Sequence, residues 1–365
     1  MVRRRGEMKA GAVTPGKTDS ARVVEMPIPV PEPGEALIRL LEVGIDGTDL
    51  EISLGRYGDP PPGQDFLVLG HEAIGLVENS GSTDLVKGDL VVPLVRRPDS
   101  CINCRTGQYD MCIEGNYREC GIRGAHGFLR EYLAEAPDFL LKVPQDLRQL
   151  AVLAEPMSIV SKGVEQAMEF HRRSANPIQA ALVLGAGPLG LLAAAFLRVQ
   201  GYNTYALDIL PKSSLKGRLM EAIGATYIDG SDCRIDELPR KLGNLDLIME
   251  ATGNSTVAFQ AMSALGINGV LCLMGVSTGE KRLEICADCI DMQIVLGNKV
   301  VFGTVSSNRG HFERAIQHLG EIEQEWPGWL TRLITQRLPL GDFKDALHPA
   351  PDSIKTVIEM PQNMV

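Results

Sequence analysis

Short apolar runs separated by Gly and Pro make up the first part of the chain, from about Ala10 to Pro144. They include EALIRLLEVGI, FLVLGHEAIGLVE and DLVVPLV, and apolar residues at helical spacing are scarce among them. Strands bounded by turn residues give this pattern. The sequence therefore predicts a compact, mostly β domain here.

After Pro144 the pattern changes to apolar residues at helical spacing in LAVLAEPMSIVSKGVEQAMEF, and then to strands that alternate with helices. Such alternation predicts βαβ units and a parallel sheet covered on both faces, and six strands fit a doubly wound dinucleotide fold. The strands predicted are AALVLGAG, NTYALDI, ATYIDG, LDLIMEATG, GVLCLMG and KVVFGTV. Two helices (HFERAIQHLGEIEQ, FKDALH) and a short strand (TVIEM) follow.

Composition narrows the class of protein. The chain has 365 residues, which favours two domains, and its 44% apolar and 22% charged residues are ordinary for a globular protein. A net charge of −10 argues against nucleic acid or an anionic membrane as partner. No apolar run approaches the ~20 residues that span a bilayer. Four of the eight cysteines fall within twenty residues, which favours a local metal lobe in a reducing cytoplasm over global disulfide stapling.

The segment ALVLGAGPLGLLAAAFLRVQG carries a G-x-G-x-x-G pattern between a predicted strand and a predicted helix. The first glycine permits a tight turn, the second lets the backbone approach a pyrophosphate, and the third brings helix and strand together. The helix N-terminus adds partial positive charge for the anion. The predicted cofactor contacts are Gly185, Gly187, Pro188, Leu189 and Gly190.

Asp208 ends the second strand of this unit, 18 residues after Gly190. A carboxylate there accepts hydrogen bonds from the ribose diol and repels a 2′-phosphate, which favours NAD over NADP. Lys212 lies near enough to reach a 2′-phosphate, so NADP stays open. The alternative for Asp208 is an ordinary turn aspartate at a strand end.

Three acidic or imidazole positions suggest a metal. Asp46 ends an apolar strand between Gly44 and Gly47, and His71 precedes Glu72 in LGHEAIG. Glu155 lies in an apolar run, where a carboxylate needs a partner charge or a metal. Asp46, His71 and Glu155 make a three-ligand set with an open position, as in a catalytic zinc site, and Glu72 is an outer or exchangeable ligand. The alternatives are a turn aspartate and a core histidine.

These motifs resemble a known family. GHEAIGLVENSG (Gly70 to Gly81) is similar to the zinc signature of the medium-chain dehydrogenases/reductases, and GIDGTD places Asp46 where most members carry cysteine. VVPLVRRP, GIRGAHGFLREY, LAEPMSIVSKGVEQ and GTVSSNRGHFERAI are similar to the archaeal-type glucose (aldohexose) dehydrogenases. The resemblance covers nearly the whole chain from Met8 onward and favours Asp46 as a zinc ligand.

The resemblance implies a GroES-like catalytic domain (residues 1–158), a Rossmann dinucleotide domain (159–310) and a C-terminal return to the catalytic domain (311–365). It assigns proton transfer to Thr48 and sugar contacts to Glu119 and Glu155. It also places one loop and one turn beside the nicotinamide and substrate, formed by Gly275, Val276, Ser277 and the residues after Val305.

Two departures from the subgroup stand out. Ser306 occupies a place where these enzymes usually carry asparagine, which puts one sugar contact, and hence the preferred sugar, in question. The family's structural zinc motif has four cysteines, and here the first position is Pro98. Cys101, Cys104 and Cys112 match the other three, and either Asp99 or Cys120 would complete a site. The alternative is a metal-free loop with reduced cysteines.

The resemblance implies an NAD(P)- and zinc-dependent glucose 1-dehydrogenase that oxidises an aldose, glucose or galactose, at C1 to the lactone. One alternative is a polyol or secondary-alcohol dehydrogenase with the same metal chemistry. Another is a non-catalytic dinucleotide-binding sensor that retains the fold. The family also implies a cytoplasmic homo-oligomer, a dimer or a tetramer.

Overall fold

The computed structural model describes residues 6–81, 84–231 and 233–361. It divides into two compact units. The first contains residues 1–155, 306–319 and 330–365, and the second contains residues 156–305 and 320–329.

The first part of the chain is built mainly of strands, as its apolar runs predict. Its strands are β1 (Glu7–Val13), β2 (Arg22–Pro27), β3 (Ala36–Ile45), β4 (Leu67–Val68), β5 (Glu72–Ser80), β6 (Leu90–Pro93), β7 (Arg96–Arg97), β8 (Arg118–Cys120), β9 (Gly124–Ala125), β10 (Tyr132–Glu135) and β11 (Leu140–Lys142). Its helices are α1 (Gly47–Ser53) and α2 (Ile102–Arg105). Short 3-10 turns lie at Tyr109–Met111, Pro137–Phe139, Gln145–Leu147 and Ala151–Leu153.

The second unit follows the alternation of strand and helix seen in the sequence. Its elements are α3 (Ala154–His171), β12 (Ala180–Leu184), α4 (Pro188–Val199), β13 (Asn203–Asp208), α5 (Leu215–Ala222), β14 (Thr226–Asp229), a 3-10 turn (Ile235–Glu237), α6 (Leu238–Leu242), β15 (Leu247–Glu250), α7 (Ser255–Ala264), β16 (Val270–Leu273), α8 (Ala287–Leu296) and β17 (Val300–Gly303). All six strands pair in parallel, in the order β14-β13-β12-β15-β16-β17.

The remaining elements complete the chain. They are α9 (Arg309–Glu325), a 3-10 turn (Leu330–Leu333), β18 (Ile334–Pro339), a 3-10 turn (Leu340–Asp342), α10 (Phe343–Ala346) and β19 (Lys355–Glu359). Strand β19 pairs antiparallel with β3 and so returns the C-terminal segment to the first unit's main sheet.

That main sheet positions the candidate site. Its order is β11-β6-β5-β3-β19-β18, with β10 also paired to β3. In β3, Gly44 lies opposite both Glu72 of β5 and Val357 of β19. Three segments distant in sequence therefore meet at the end of β3, where the chain turns into α1.

Each unit has its own apolar core. Ile38, Leu40 and Val43 of β3 are fully buried in the first unit, and Leu182 and Leu184 of β12 in the second. The continuous apolar runs of β12, β15 and β16 reflect a parallel sheet covered on both faces. The α/β fold class and the six strands predicted for the second unit are confirmed. None of the helices formed by the described residues is long and apolar enough to cross a membrane.

Candidate metal centre and nucleotide turn

Asp46 is the N-cap of α1, and its carboxylate organises the turn that follows β3. Oδ1 accepts the backbone N–H groups of Thr48 at 2.8 Å and Asp49 at 3.2 Å, and Oδ2 accepts the Thr48 hydroxyl at 3.3 Å. The Asp46 N–H donates in return to Asp49 Oδ2 at 3.2 Å, which completes a capping box. The turn interpretation of Asp46 is therefore correct, but the same side chain also faces His71.

His71 is buried at the centre of a group of nitrogen and oxygen donors. Its Nε2 lies 3.5 Å from Asp46 Oδ2, and its Nδ1 lies 3.9 Å from Asp49 Oδ2. Asp46, Asp49 and His71 form one set of donor atoms within 4.8 Å of one another, and His71, Glu72 and Glu155 form a second. The predicted ligands Asp46 and Glu155 thus fall in different sets, which share His71.

Glu72 is held by a lysine that the sequence analysis did not consider. Lys355 Nζ donates to both carboxylate oxygens of Glu72 at 2.7 Å, and also to the Ile45 carbonyl at 3.4 Å. Each side chain is only 1% exposed. Gly44 makes room for the pair, because a Cβ there would lie 2.1 Å from Glu72 Oε2. In this arrangement Glu72 is committed to an ion pair beside the donor group.

Burial and mutual repulsion set the electrostatics of the group. Burial raises the pKa of Glu155 to about 8 and that of Asp49 to about 7. Burial also disfavours the charged form of Asp46, but the charge of His71 and a hydrogen bond with it lower the Asp46 pKa below its usual value. Burial opposes a charged His71, yet Asp46 and the other carboxylates raise its pKa well above 6.5. Near neutral pH the metal-free group therefore holds protons on Glu155 and His71, and a bound cation would take the place of these protons.

Zinc fits these residues. Nε2 of His71 faces the Asp46 carboxylate, whereas Nδ1, on the other side of the ring, faces Asp49 at 3.9 Å. Imidazole nitrogen and carboxylate oxygen are both ordinary zinc donors, and catalytic sites use three protein ligands and leave one position open. The side chains of Asp46, His71 and Glu155 would hold the ion, with Asp49 close enough to orient His71.

The titration of these groups predicts how zinc stabilises the protein. In the metal-free fold, the raised pKa values of Glu155 and Asp49 contribute stability below about pH 4, and this contribution is lost as the pH rises to about 8. Zinc needs deprotonated ligands, so its stabilising effect grows over the same range. We expect the zinc-induced rise in Tm to be larger at about pH 8 than at about pH 5.5.

Thermal melting of chelated and zinc-loaded protein at both pH values measures this difference. His71→Ala should remove the share of the zinc-induced rise that this group contributes at each pH, and leave only the share of zinc bound in the cysteine lobe. An equal rise at the two pH values, or a larger one at low pH, would contradict the assignment.

The predicted sugar-binding residues have defined surroundings in the first unit. Glu119 is buried, and Arg96 donates to its Oε1 from Nε at 3.0 Å and from Nη2 at 2.8 Å. Ser306 has a φ of +59°, in the left-handed region that asparagine tolerates better than serine. Asn308 donates from Nδ2 to Asp110 Oδ1 at 2.8 Å. The turn after Val305 thus has a strained residue at its start.

The cysteine lobe forms a second group of candidate ligands. Asp99, Cys101, Cys104 and Cys112 bring donor atoms within 4.8 Å of one another. Cys112 Sγ donates to Asp99 Oδ2 at 2.9 Å, and the Cys101 N–H donates to Asp99 Oδ1 at 2.9 Å. Of the two residues that the sequence left open as fourth donor, Asp99 is in this group, whereas Cys120 is buried elsewhere in the unit, in β8.

The glycine-rich turn of the second unit lies between β12 and α4, as predicted. Gly187 is the N-cap of α4, and Pro188 occupies the first position of that helix. Gly190 is indispensable for packing, because a Cβ there would lie 1.9 Å from the Gly185 carbonyl oxygen. Among the described residues, no side chain caps the N-terminus of α4, which is the arrangement that a pyrophosphate-binding turn requires.

Asp208 lies at the carboxyl end of β13 beside this turn. Its Oδ2 accepts the Ala186 N–H at 2.6 Å, and its Oδ1 accepts the Leu210 N–H at 3.1 Å. Lys212 forms an exposed ion pair with Glu221. In the loop predicted to lie beside the nicotinamide, Val276 is exposed, and Ser277 Oγ donates to the Gly253 carbonyl at 2.9 Å. The Val305 carbonyl accepts from Lys162 Nζ at 3.0 Å.

Two residues of the metal centre were missed by sequence reasoning. Asp49 is fully buried, and its Oδ1 accepts the Gly70 N–H at 2.9 Å. The D-x-x-D spacing of Asp46 and Asp49, which is typical of a capping box, is the sequence feature that could have revealed it. Lys355 was detectable as a charged residue in the apolar run IKTVIEM, but only the pairing of β19 with β3 reveals its partner.

Two protein families match most of the chain, and two relatives are similar to it over nearly their full length. The "Alcohol dehydrogenase GroES-like domain" family matches residues 32–145, and the "Glucose dehydrogenase C-terminus" family matches residues 148–360. The chain is 46% identical to a glucose 1-dehydrogenase of Methanocella arvoryzae, over 97% of this chain and 99% of that one. It is 42% identical to a glucose 1-dehydrogenase of Thermoproteus tenax, with the same coverage of both chains.

A solved structure is also similar. The glucose dehydrogenase of Haloferax mediterranei, in complex with NADP, zinc and gluconolactone, superposes with a TM-score of 0.91 at 38% identity. The match covers 98% of this chain and all of the other. A GroES-like unit and a doubly wound dinucleotide unit define a medium-chain dehydrogenase. Within that class, the chain belongs to the zinc-type glucose dehydrogenase family.

Proposed function

We propose that this protein is a zinc-dependent aldose 1-dehydrogenase, which oxidises glucose or galactose at C1 to the lactone and transfers hydride to NAD(P). The group of donor atoms around the buried His71 is the observation that carries this proposal. It occurs in a chain whose relatives are named glucose 1-dehydrogenases over nearly their full length.

Zinc, when bound, would supply Lewis acidity toward a substrate hydroxyl, and the nicotinamide would accept the hydride. The chain's own residues position the substrate and move its proton. The Thr48 hydroxyl is held at Asp46 Oδ2, where it can accept the proton of the C1 hydroxyl and pass its own onward. Arg96 fixes Glu119, and the carboxylates of Glu119 and Glu155 suit the hydroxyl groups of a sugar.

A substrate panel tests the proposal. The zinc-loaded protein is assayed with D-glucose, D-galactose, a hexitol and a secondary alcohol, with NAD and NADP in parallel. Reduction of the nicotinamide by an aldose, with acidification as the lactone hydrolyses, supports the proposal. Turnover of only the hexitol or the secondary alcohol favours the polyol dehydrogenase alternative. Nucleotide binding without turnover on any of them favours a sensor.

Asp208 is proposed to select NAD through its negative charge. Asp208→Asn keeps an oxygen that can accept the Ala186 N–H and removes the charge that repels a 2′-phosphate. We expect the ratio of kcat/KM for NAD to that for NADP to fall about tenfold, which corresponds to roughly 1.4 kcal/mol. Initial rates with each cofactor measure this ratio.

Lys212→Ala is the matched control, because Lys212 is engaged with Glu221 and should change the ratio little. A larger change with Lys212→Ala than with Asp208→Asn would show that the lysine governs cofactor choice.

Ser306 is proposed to be a point where sugar preference has changed. Asparagine is favoured over serine at a φ of +59° and also offers an amide to a sugar hydroxyl. We expect Ser306→Asn to lower KM for glucose and to stabilise the fold by up to about 1 kcal/mol. Ser306→Ala, which gains neither property, is the control. Unchanged KM and unchanged stability in Ser306→Asn would refute this role.

We propose a second, structural zinc at Asp99, Cys101, Cys104 and Cys112. Three sulfur donors and one oxygen donor can complete a tetrahedron with no open position. Metal analysis of the zinc-loaded protein separates the outcomes. Loss of one zinc per chain in Cys104→Ser, with the His71 group still loaded, supports it, and no loss speaks for a metal-free lobe.

We propose that the protein forms a homo-oligomer. Strand β17 lies at an edge of its sheet, and Leu296 at the end of α8 is 75% exposed. An edge strand is suited to pairing with a second copy, and an exposed apolar side chain is suited to burial in an interface. Sedimentation at micromolar concentration tests this, and a monomer would contradict it.

A further inference from the structure

Five cysteines lie outside both candidate metal groups, and two of these five are bonded to each other. Cys286 and Cys289 form a C-A-D-C motif and are joined by a disulfide, a link that the sequence analysis did not foresee. Both residues are exposed. The bridge closes a very short loop and so does not staple distant parts of the chain together.

The position of this pair favours thiol chemistry. Cys286 is the N-cap of the ten-residue helix α8, and Cys289 lies in its first turn. A thiol at a helix N-terminus has a lowered pKa, and C-x-x-C pairs in this setting are reactive. Disulfides that are open to solvent are the labile ones, whereas structural disulfides resist reduction. The exposure of both cysteines, their C-x-x-C spacing and their position at the helix N-terminus therefore favour a disulfide that is reversibly reduced and oxidised.

The disulfide also ends a loop that begins at the nucleotide edge of the sheet. The irregular segment from Met274 to Cys286 leaves the carboxyl end of β16, the edge at which doubly wound sheets bind dinucleotides. Its start is fixed, because a Cβ on Gly275 would lie 2.2 Å from the Gly253 nitrogen. Farther along, Lys281 Nζ donates to Thr256 Oγ1 at 2.7 Å. The disulfide constrains the other end of the same segment.

We propose that Cys286 and Cys289 are a reversible redox site, which exchanges with small thiols and disulfides and tunes dinucleotide affinity through this loop. In the reducing direction, a thiolate of a dithiol reductant attacks Cys289 Sγ. The S–S bond breaks, and Cys286 leaves as the thiolate that the helix N-terminus stabilises. The second thiolate of the reductant attacks the mixed disulfide and releases Cys289. Two electrons and two protons reach the protein, and the reductant leaves as its cyclic disulfide; with glutathione, a second molecule makes the second attack, and the two molecules leave joined by a disulfide bond.

Thiol counting tests the redox step and requires no dehydrogenase turnover. Alkylation after denaturation should find six thiols in the oxidised chain and eight in the reduced one. The folded protein is equilibrated in buffers of reduced and oxidised glutathione and then alkylated. We expect the count to change by two, reversibly, across these buffers. Cys233→Ser, the matched control, should lower both counts by one.

Failure of the folded protein to exchange with the glutathione couple would overturn the proposal. A count of eight under all conditions, which would mean that no bond forms, would also overturn it.

Dinucleotide binding tests the consequence and requires no sugar. Because reductants also bind zinc, the reduced state is represented by the variant Cys286→Ser/Cys289→Ser. We expect its Kd for NAD to be about fivefold weaker than that of the oxidised wild type, which is the low end of usual coupling between sites. Cys233→Ser again serves as the control.

Equal Kd values for the double variant and the wild type would overturn the link to the loop. The role of the loop rests on the proposed nucleotide site. If the fold binds no dinucleotide at all, the proposed function fails, while the thiol count still decides whether the pair is redox-active.

Discussion

Lys355→Met is expected to destabilise the zinc-free protein by about 3–5 kcal/mol, because it leaves the carboxylate of Glu72 buried without its partner. Lys355 donates to both Glu72 oxygens, and both side chains are almost completely buried. Removing one member of such a pair costs far more than losing an exposed ion pair, whose contribution is at most about 1 kcal/mol. Urea unfolding at neutral pH measures the change.

Two further variants separate the ion pair from general packing. Lys344→Met removes an exposed lysine of α10 and should change the free energy of unfolding by less than about 0.5 kcal/mol. The double variant Lys355→Met/Glu72→Met should recover much of the lost stability, because no charge stays buried. A loss below about 1 kcal/mol in Lys355→Met would show that Glu72 does not depend on this lysine.

His71→Ala is expected to abolish zinc binding at the catalytic group and to lower kcat/KM for the sugar by roughly 10³-fold or more. His71 is the donor common to both sets of candidate ligands, so its loss leaves carboxylates alone. Metal analysis and initial rates measure the two effects. NAD binding should be retained, because the glycine-rich turn lies in the second unit.

His348→Ala is the control for this variant, since His348 is exposed and lies outside the donor group. If His71→Ala keeps a full complement of zinc and turns over normally, the ligand assignment is wrong.

The sequence was most informative where local pattern and fold coincide. The alternation of apolar strands and helices predicted all six strands of the doubly wound sheet, and the G-x-G-x-x-G spacing located the turn at Gly187. These features are contiguous in sequence, so periodicity and turn residues suffice to find them.

The ion pair beside the metal centre could not be predicted from the sequence, because it depends on contacts between strands that are distant along the chain. Lys355 and Glu72 are 283 residues apart and meet only because β19 and β5 both pair with β3. The bond between Cys286 and Cys289 was missed for a different reason. The C-x-x-C spacing is present in the sequence, but spacing alone does not distinguish a disulfide from a metal site or free thiols.

Reversible dependence of sugar oxidation on zinc tests the central proposal most directly. The initial rate of nicotinamide reduction with D-glucose is measured before chelation, after chelation and after zinc is restored, with NAD and NADP compared. We predict turnover that disappears on chelation, returns with zinc, and yields the lactone. Undiminished turnover of the metal-depleted protein, or no reduction with any aldose while zinc and dinucleotide are bound, would contradict it.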